Sequence, residues 1–99
     1  MAIIQFSVVP LGIGNTSISL YVAQVHKVLQ QSGVKHSLTP MGTVLEGPLP
    51  QLMEVIQKCH EVPFAKGAQR VMTLINIDDR RDKQATAAGK MKSVEDKLS

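Results

Sequence analysis

The stretch IIQFSVVPLGIGNTSISLYVAQVHKVLQQSG, residues 3–33, decides the fold, because its hydrophobic period changes once and glycines mark the change. From Ile3 to Val9 the pattern alternates: Ile4, Phe6 and Val8 share one face, and Ile3, Gln5, Ser7 and Val9 the other, as in a half-buried strand. Pro10, Gly12 and Gly14 end that strand. Asn15, Thr16 and Ser17 then supply side-chain oxygens of the kind that cap free helix amides. Ile18, Tyr21, Val22, Val25, Val28 and Leu29 follow at helical spacing, with Gln24, Lys27 and Gln31 opposite, and Gly33 gives the stop. This is a strand–turn–helix unit, and the rest of the chain extends it.

Val34 to Pro40 alternates again, Pro40 to Gly42 suits a tight turn, and Thr43 to Glu46 makes a short third strand closed by Gly47. Pro48 and Pro50 fit the first turn of a second helix, whose inward stripe is Leu52, Val55, Ile56 and Cys59, and Pro63 is expected to end or bend it. Gln69 to Ile77 forms a fourth strand with Val71, Thr73, Ile75 and Ile77 on one side and Met72, Leu74 and Asn76 on the other. Both faces are apolar enough to predict cover on both. Beyond the charged run Asp78–Lys83, Ala88, Met91, Val94 and Leu98 outline a terminal amphipathic helix. The order is that of an α+β, ferredoxin-like βαββαβ antiparallel sheet with two helices on one face plus a C-terminal helix. Strands 1 and 3 are expected in the middle, with strand 4 at the edge beside strand 1. At 99 residues the chain fits one domain, 1–99.

Composition narrows the function. The net charge of +3 lies wholly beyond residue 65, and Phe6, Tyr21 and Phe64 are the only aromatic residues, too few for a nucleic-acid stacking platform. Nucleic acid is not an expected partner. A single cysteine, Cys59, excludes an internal disulfide; no apolar run is long enough for a membrane helix, and no leader-like pattern precedes Ile3, so the chain reads as cytoplasmic and without a membrane partner. A chain this small buries a limited core, which favours association of subunits.

Little here points to catalysis. His26 reads as surface polar, His36 and His60 as structural, and with one cysteine they make no metal site. The Gly12–Ser17 segment reads first as a turn and cap, and its amides could also hold an anion. Cys59 reads as core, and the mixed charges of Asp78–Lys83 as solvated or intersubunit pairs. Glu46, a lone acid closing a central strand, needs a partner: Lys35, Arg70 or a ligand. No nucleophile, base and orienting group occur together, so no catalytic residue and no cofactor are expected, and the chain is not expected to be an enzyme. An acylphosphatase would need an arginine in the loop from Leu11 to Thr16, which has none.

The chain resembles the family of small thiamine-binding proteins with a ferredoxin-like fold. The resemblance rests on Val9-Pro10-Leu11-Gly12, on Thr16-Ser17 with Ser19 and Tyr21-Val22-Ala23, on Met41-Gly42-Thr43 with Leu45-Glu46-Gly47, and on Arg70-Val71 leading into Ile77–Asp82. It implies cytosolic homodimers assembling to homotetramers, and thiamine or its hydroxymethylpyrimidine part as ligand. An aminopyrimidine suits a carboxylate with hydroxyl neighbours, so the resemblance and this chemistry together make Glu46 the expected anchor, with Ser17, Ser19 and Thr43 beside it and Met41 as a soft surface for a ring. Thr43 and Glu46, three apart on one strand, are expected on opposite faces. With strands 1 and 3 running parallel, Glu46 is expected beside Pro10, Gly12 and the first helix start. The alternative is a structural or regulatory homo-oligomeric domain with no thiamine ligand, its open sheet face serving assembly.

Overall fold

The structure, a computed structural model, describes residues 1–12, 19–82 and 87–98. Seven elements follow one another: β1 (Ala2–Leu11), α1 (Ser19–Ser32), β2 (Lys35–Thr39), β3 (Gly42–Gly47), α2 (Leu49–Ala65), β4 (Arg70–Asp79) and α3 (Ala87–Leu98). The strands form one sheet in the order β2-β3-β1-β4, and every neighbouring pair is antiparallel. This is the ferredoxin-like α+β arrangement.

The alternation read in β1 becomes the core. Ile4 and Phe6 are buried with Leu45 of β3, Leu29 of α1, and Leu52, Val55, Ile56 and Cys59 of α2, while Val8, Val25 and Val28 pack around them. Burying each such side chain contributes roughly 1.5–3 kcal/mol. α1 stops where Gly33 takes φ +76°, and Ser32 secures the end: its hydroxyl donates to the Leu29 carbonyl at 2.6 Å and accepts the Val34 amide at 3.3 Å. α2 runs past Pro63 to Ala65, because a proline in the last turn removes one helical bond without leaving further turns to disrupt. The amides of Lys66 and Ala68 then close on the Pro63 carbonyl.

β1 and β3 differ in length, and this shapes the molecule. β1 pairs with β4 from Ala2 to Leu11, but with β3 only from Ala2 to Phe6, where Phe6 faces Thr43. From Ser7 onward no strand among the described residues lies on the β3 side of β1. Pro10, buried and paired with Val71, therefore continues the strand, since β3 has already ended and asks no donor of it.

Two expectations about exposure are corrected. β4 is covered on neither side: Met72, Leu74, Ile75 and Ile77 are each between 37% and 50% exposed. β4 lies at the sheet edge, where α2 shields it only in part. Of the α3 stripe, Met91, Val94 and Leu98 are likewise all exposed.

Gly42 holds the turn against β1. Its φ is +150°, and a Cβ there would sit 2.7 Å from the Phe6 carbonyl oxygen, a backbone atom that cannot step aside. Gly42→Ala is expected to lower stability by about 1–3 kcal/mol in denaturant unfolding. Cys59 gives a second expectation. Burial pushes its thiol up to about 11 from an ordinary value near 9.0. Because the folded-state value is the raised one, the contribution is intact below about pH 9 and is lost as pH rises toward about 11. Cys59→Ala, though less stable at neutral pH, is expected to show a flatter alkaline decline in melting temperature.

Candidate ligand cleft

The open side of β1 forms one wall of a cleft of about 330 Å³. Phe6 to Val9 line its floor, Tyr21, Val22 and Val25 of α1 its side, and Leu38 to Thr43, the β2–β3 turn, its far rim. Each wall has a local cause. The floor exists because β3 ends early. The α1 wall is the upper part of the helical stripe read from the sequence, of which Tyr21 and Val25 are half-buried. The rim is fixed by Thr39, whose hydroxyl donates to the Gly42 carbonyl at 2.8 Å and accepts the Met41 amide at 3.2 Å, and by Gln5, whose amide donates to the Met41 carbonyl at 3.5 Å.

The lining is apolar and aromatic with a few hydroxyls, and none of the lining residues carries a charge. Strand residues turn their amide and carbonyl to alternate edges, so on the bare side of β1 Val8, in step with Pro10, offers an amide and a carbonyl with no described strand beside them, a directional pair for a flat polar ring. Thr43 is buried at the base and Met41 stands 79% exposed at the rim. These two expected site residues come together here. Ser19 opens α1, and its side chain lies outside the described residues, as does the whole of Ser17. The cap Asn15–Ser17 and the rest of the Gly12–Ser17 turn also lie outside them, Gly12 excepted.

Glu46 is elsewhere. The expected placement beside Pro10 and Gly12 assumed parallel strands, but β1 and β3 are antiparallel, so Glu46 faces Ile3 at the opposite end of β1. Its carboxylate is 2.9 Å from the Lys35 ammonium across the β2–β3 ladder, and its side chain is 7% exposed against 72% for Lys35. Thr43 and Glu46 do fall on opposite faces, because the register runs without a bulge.

The histidines depart from the sequence reading in one case. His26 is not surface polar: its ring meets that of His36 edge-on, 5.5 Å between centroids, and its Nδ1 is buried with no hydrogen-bond partner among the described residues. The Nδ1–H of His36 donates to the Val34 carbonyl at 2.9 Å, and His60 Nδ1 lies 2.7 Å from the Thr73 hydroxyl. Among the described residues no group of three or more His, Cys, Asp or Glu is placed to hold a metal. In the charged run, Arg80 pairs with Asp82 and Arg81 with Asp79 within the chain; Lys83 lies outside the described residues.

Fold and cleft together define a ferredoxin-like domain with a small, uncharged pocket beside an exposed strand edge. A family model described as thiamine-binding protein matches residues 4–95, and the chain belongs to that family. Its relatives include the UPF0045 protein YqgV of Bacillus subtilis, 48% identical over 98 residues and covering 95% of this chain and 94% of the relative. A UPF0045 protein from the glkA 3' region of Staphylococcus xylosus is 45% identical over 103 residues, covering 100% and 96%. The crystal structure of a hypothetical protein from Methanocaldococcus jannaschii superposes with a TM-score of 0.83 at 32% identity over 95% of both chains.

The sequence reading did not single out the cleft floor, and read Val25 only as part of the first helix's apolar stripe and Tyr21 and Val22 as that and as a family-like segment. A ten-residue β1 beside a six-residue β3 was the available signal. Glu46→Gln is expected to lower stability by about 1 kcal/mol in chemical denaturation, since it removes a charge-assisted bond whose lysine is largely solvated.

Proposed function

We propose that this protein is a non-catalytic carrier or sensor of thiamine or its hydroxymethylpyrimidine part, bound in the cleft between β1, α1 and the β2–β3 turn. The observation that supports it is the uncharged cleft with a bare backbone edge, in a member of a family described as thiamine-binding. An aminopyrimidine carries an adjacent donor and acceptor that match the Val8 carbonyl and amide on the bare edge, and Thr43 supplies a hydroxyl at the base. Met41 covers the ring, and the hydroxyls of Ser17 and Ser19 are proposed as further partners. A cationic thiazolium meets no basic side chain among the lining residues. For the same reason a pyrophosphate gains nothing from them, so the unphosphorylated forms are favoured over the phosphates. Glu46, three residues along β3 and roughly 10 Å away, serves the Lys35 pair instead of the ligand.

A second reading is favoured by the exposed apolar surface. The outer sheet face, with Ile3, Val9, Met72 and Leu74, suits packing of subunits into a dimer and then a tetramer in the cytoplasm, and the alternative is that the chain serves only such an assembly.

Melting curves with hydroxymethylpyrimidine, thiamine and thiamine pyrophosphate separate the readings. Ligand at a hundred times its dissociation constant is expected to add about 2.7 kcal/mol to stability. Val22→Trp, which fills the cleft from a half-exposed position, is expected to abolish the shift. Thr43→Val is expected to weaken calorimetric affinity about tenfold, and Glu46→Gln to leave it unchanged. No shift in the wild type at millimolar ligand leaves the assembly reading alone. A tenfold loss in Glu46→Gln with normal binding in Val22→Trp moves the site to the Lys35 end.

A further inference from the structure

Two imidazole rings meet between α1 and β2. His26 of α1 and His36 of β2 stand edge-on, with 5.5 Å between centroids and 74° between planes. Neutral rings favour that geometry, because the electropositive edge of one lies against the electron-rich face of the other. The Nδ1–H of His36 donates to the Val34 carbonyl at 2.9 Å, which leaves its lone pair on Nε2. Nδ1 of His26 is buried without a hydrogen-bond partner among the described residues, so a proton placed there finds no acceptor.

The surroundings offer the pair no counter-charge. On α1, Lys27 is exposed one residue further round the helix, and Tyr21 lines the cleft. On β2, Lys35 alternates with His36 and so lies on the other sheet face, where it pairs with Glu46 of β3. β1 holds no titratable side chain. On α2, Cys59 is in the core and His60 contacts Thr73 of β4, while Glu54, Lys58 and Glu61 form one exposed row, with Glu54 bordering a shallow groove that ends on Ile75 of β4. One added proton can be held as a charged edge over a neutral ring. A second sets two like charges across the same 5.5 Å, with no carboxylate among the described residues facing them.

The elements that carry the rings also wall the cleft. Val22 lies one turn before His26 in the same helical row, Val25 directly precedes it, and Leu38 follows His36 on the same face of β2. Whatever parts the rings therefore parts Val22 and Val25 from Leu38. β2 is the element able to yield, being five residues long and hydrogen-bonded to β3 alone at the edge of the sheet.

We propose that His26 and His36 form a proton-operated latch: neutral, they hold α1 against β2, and doubly charged they release it, so that the cleft keeps its ligand at neutral pH and gives it up in mild acid. The release of ligand rests on the cleft binding thiamine; the opening does not.

Hydrogen exchange on the ligand-free protein and calorimetry with thiamine, each at about pH 8 and about pH 5.5, test the two halves. Exchange protection in β2 and in the α1 turn around His26, corrected for the intrinsic rate at each pH, is expected to fall about tenfold in acid, and thiamine affinity by a similar factor. His26→Phe keeps a ring in place and removes the titration, and His36→Asn keeps a donor for the Val34 carbonyl. Both variants are expected to hold their protection across the range. Comparison with them also removes any titration of thiamine itself, which acts on wild type and variants alike. Protection that falls equally in all three proteins, or in none, overturns the latch whatever thiamine does. Protection lost only in the wild type, with thiamine affinity changing equally in all three, overturns the coupling to the cleft. Protection lost only in the wild type, with no thiamine binding at about pH 8, removes the ligand reading and supports the latch.

Discussion

The structure depends on the ladder between β1 and β4, which holds all ten residues of β1 in register while β3 lets go after five. Backbone amides and carbonyls need partners, and a strand supported on only one side is stable only if that support is complete. Because β4 supplies it to the end, β1 can run past β3 with one edge bare. The bare edge is where α1 and the β2–β3 turn leave a gap, and Thr39, Gly42 and Gln5 keep that gap from closing. The cleft is thus a consequence of unequal strand lengths more than of any particular polar side chain.

Two groups of exposed apolar residues lie on opposite flanks of the sheet. Val22, Leu38 and Met41 border the cleft, on the β2 side; Met72, Leu74, Ile75 and Ile77 lie along β4. Covering one group does not obstruct the other, so ligand binding and association of subunits can be independent. Several charged residues pair with one another. Glu46 and Lys35 tie β3 to β2, and the arginines beyond β4 pair with neighbours two residues away.

Periodicity carried the elements well because burial follows it directly: Ile4 and Phe6, and Leu52, Val55, Ile56 and Cys59, are buried as their spacing implied. Strand order also followed, since handed crossovers leave few arrangements. Direction was lost by one reversal. A strand–helix–strand unit returns parallel, the hairpin then turns back, and β3 must oppose β1; reading them as parallel moved Glu46 to the wrong end. His26 read as polar surface because its own helix says nothing of what β2 brings beneath it, which is the ring of His36. For β4 the alternating apolar residues were legible but not what covers them, because a pattern of side chains does not distinguish burial within the chain from burial between chains. The cleft was the least legible feature, being set by where strands stop.

Pro10 has a consequence for what the cleft can admit. An incoming peptide that extended the sheet along the bare side of β1 would need donors and acceptors in regular succession. Amide and carbonyl turn to alternate edges along a strand, so the bare side holds only Val8 before Pro10 interrupts the row of donors, and Gly12, at φ +69°, turns the backbone away two residues later. One residue's amide and carbonyl are too few to hold a strand and enough to meet one edge of a single heterocycle. The proline therefore acts as a size filter written into the backbone, turning an edge that could have recruited polypeptide into one that fits a small molecule.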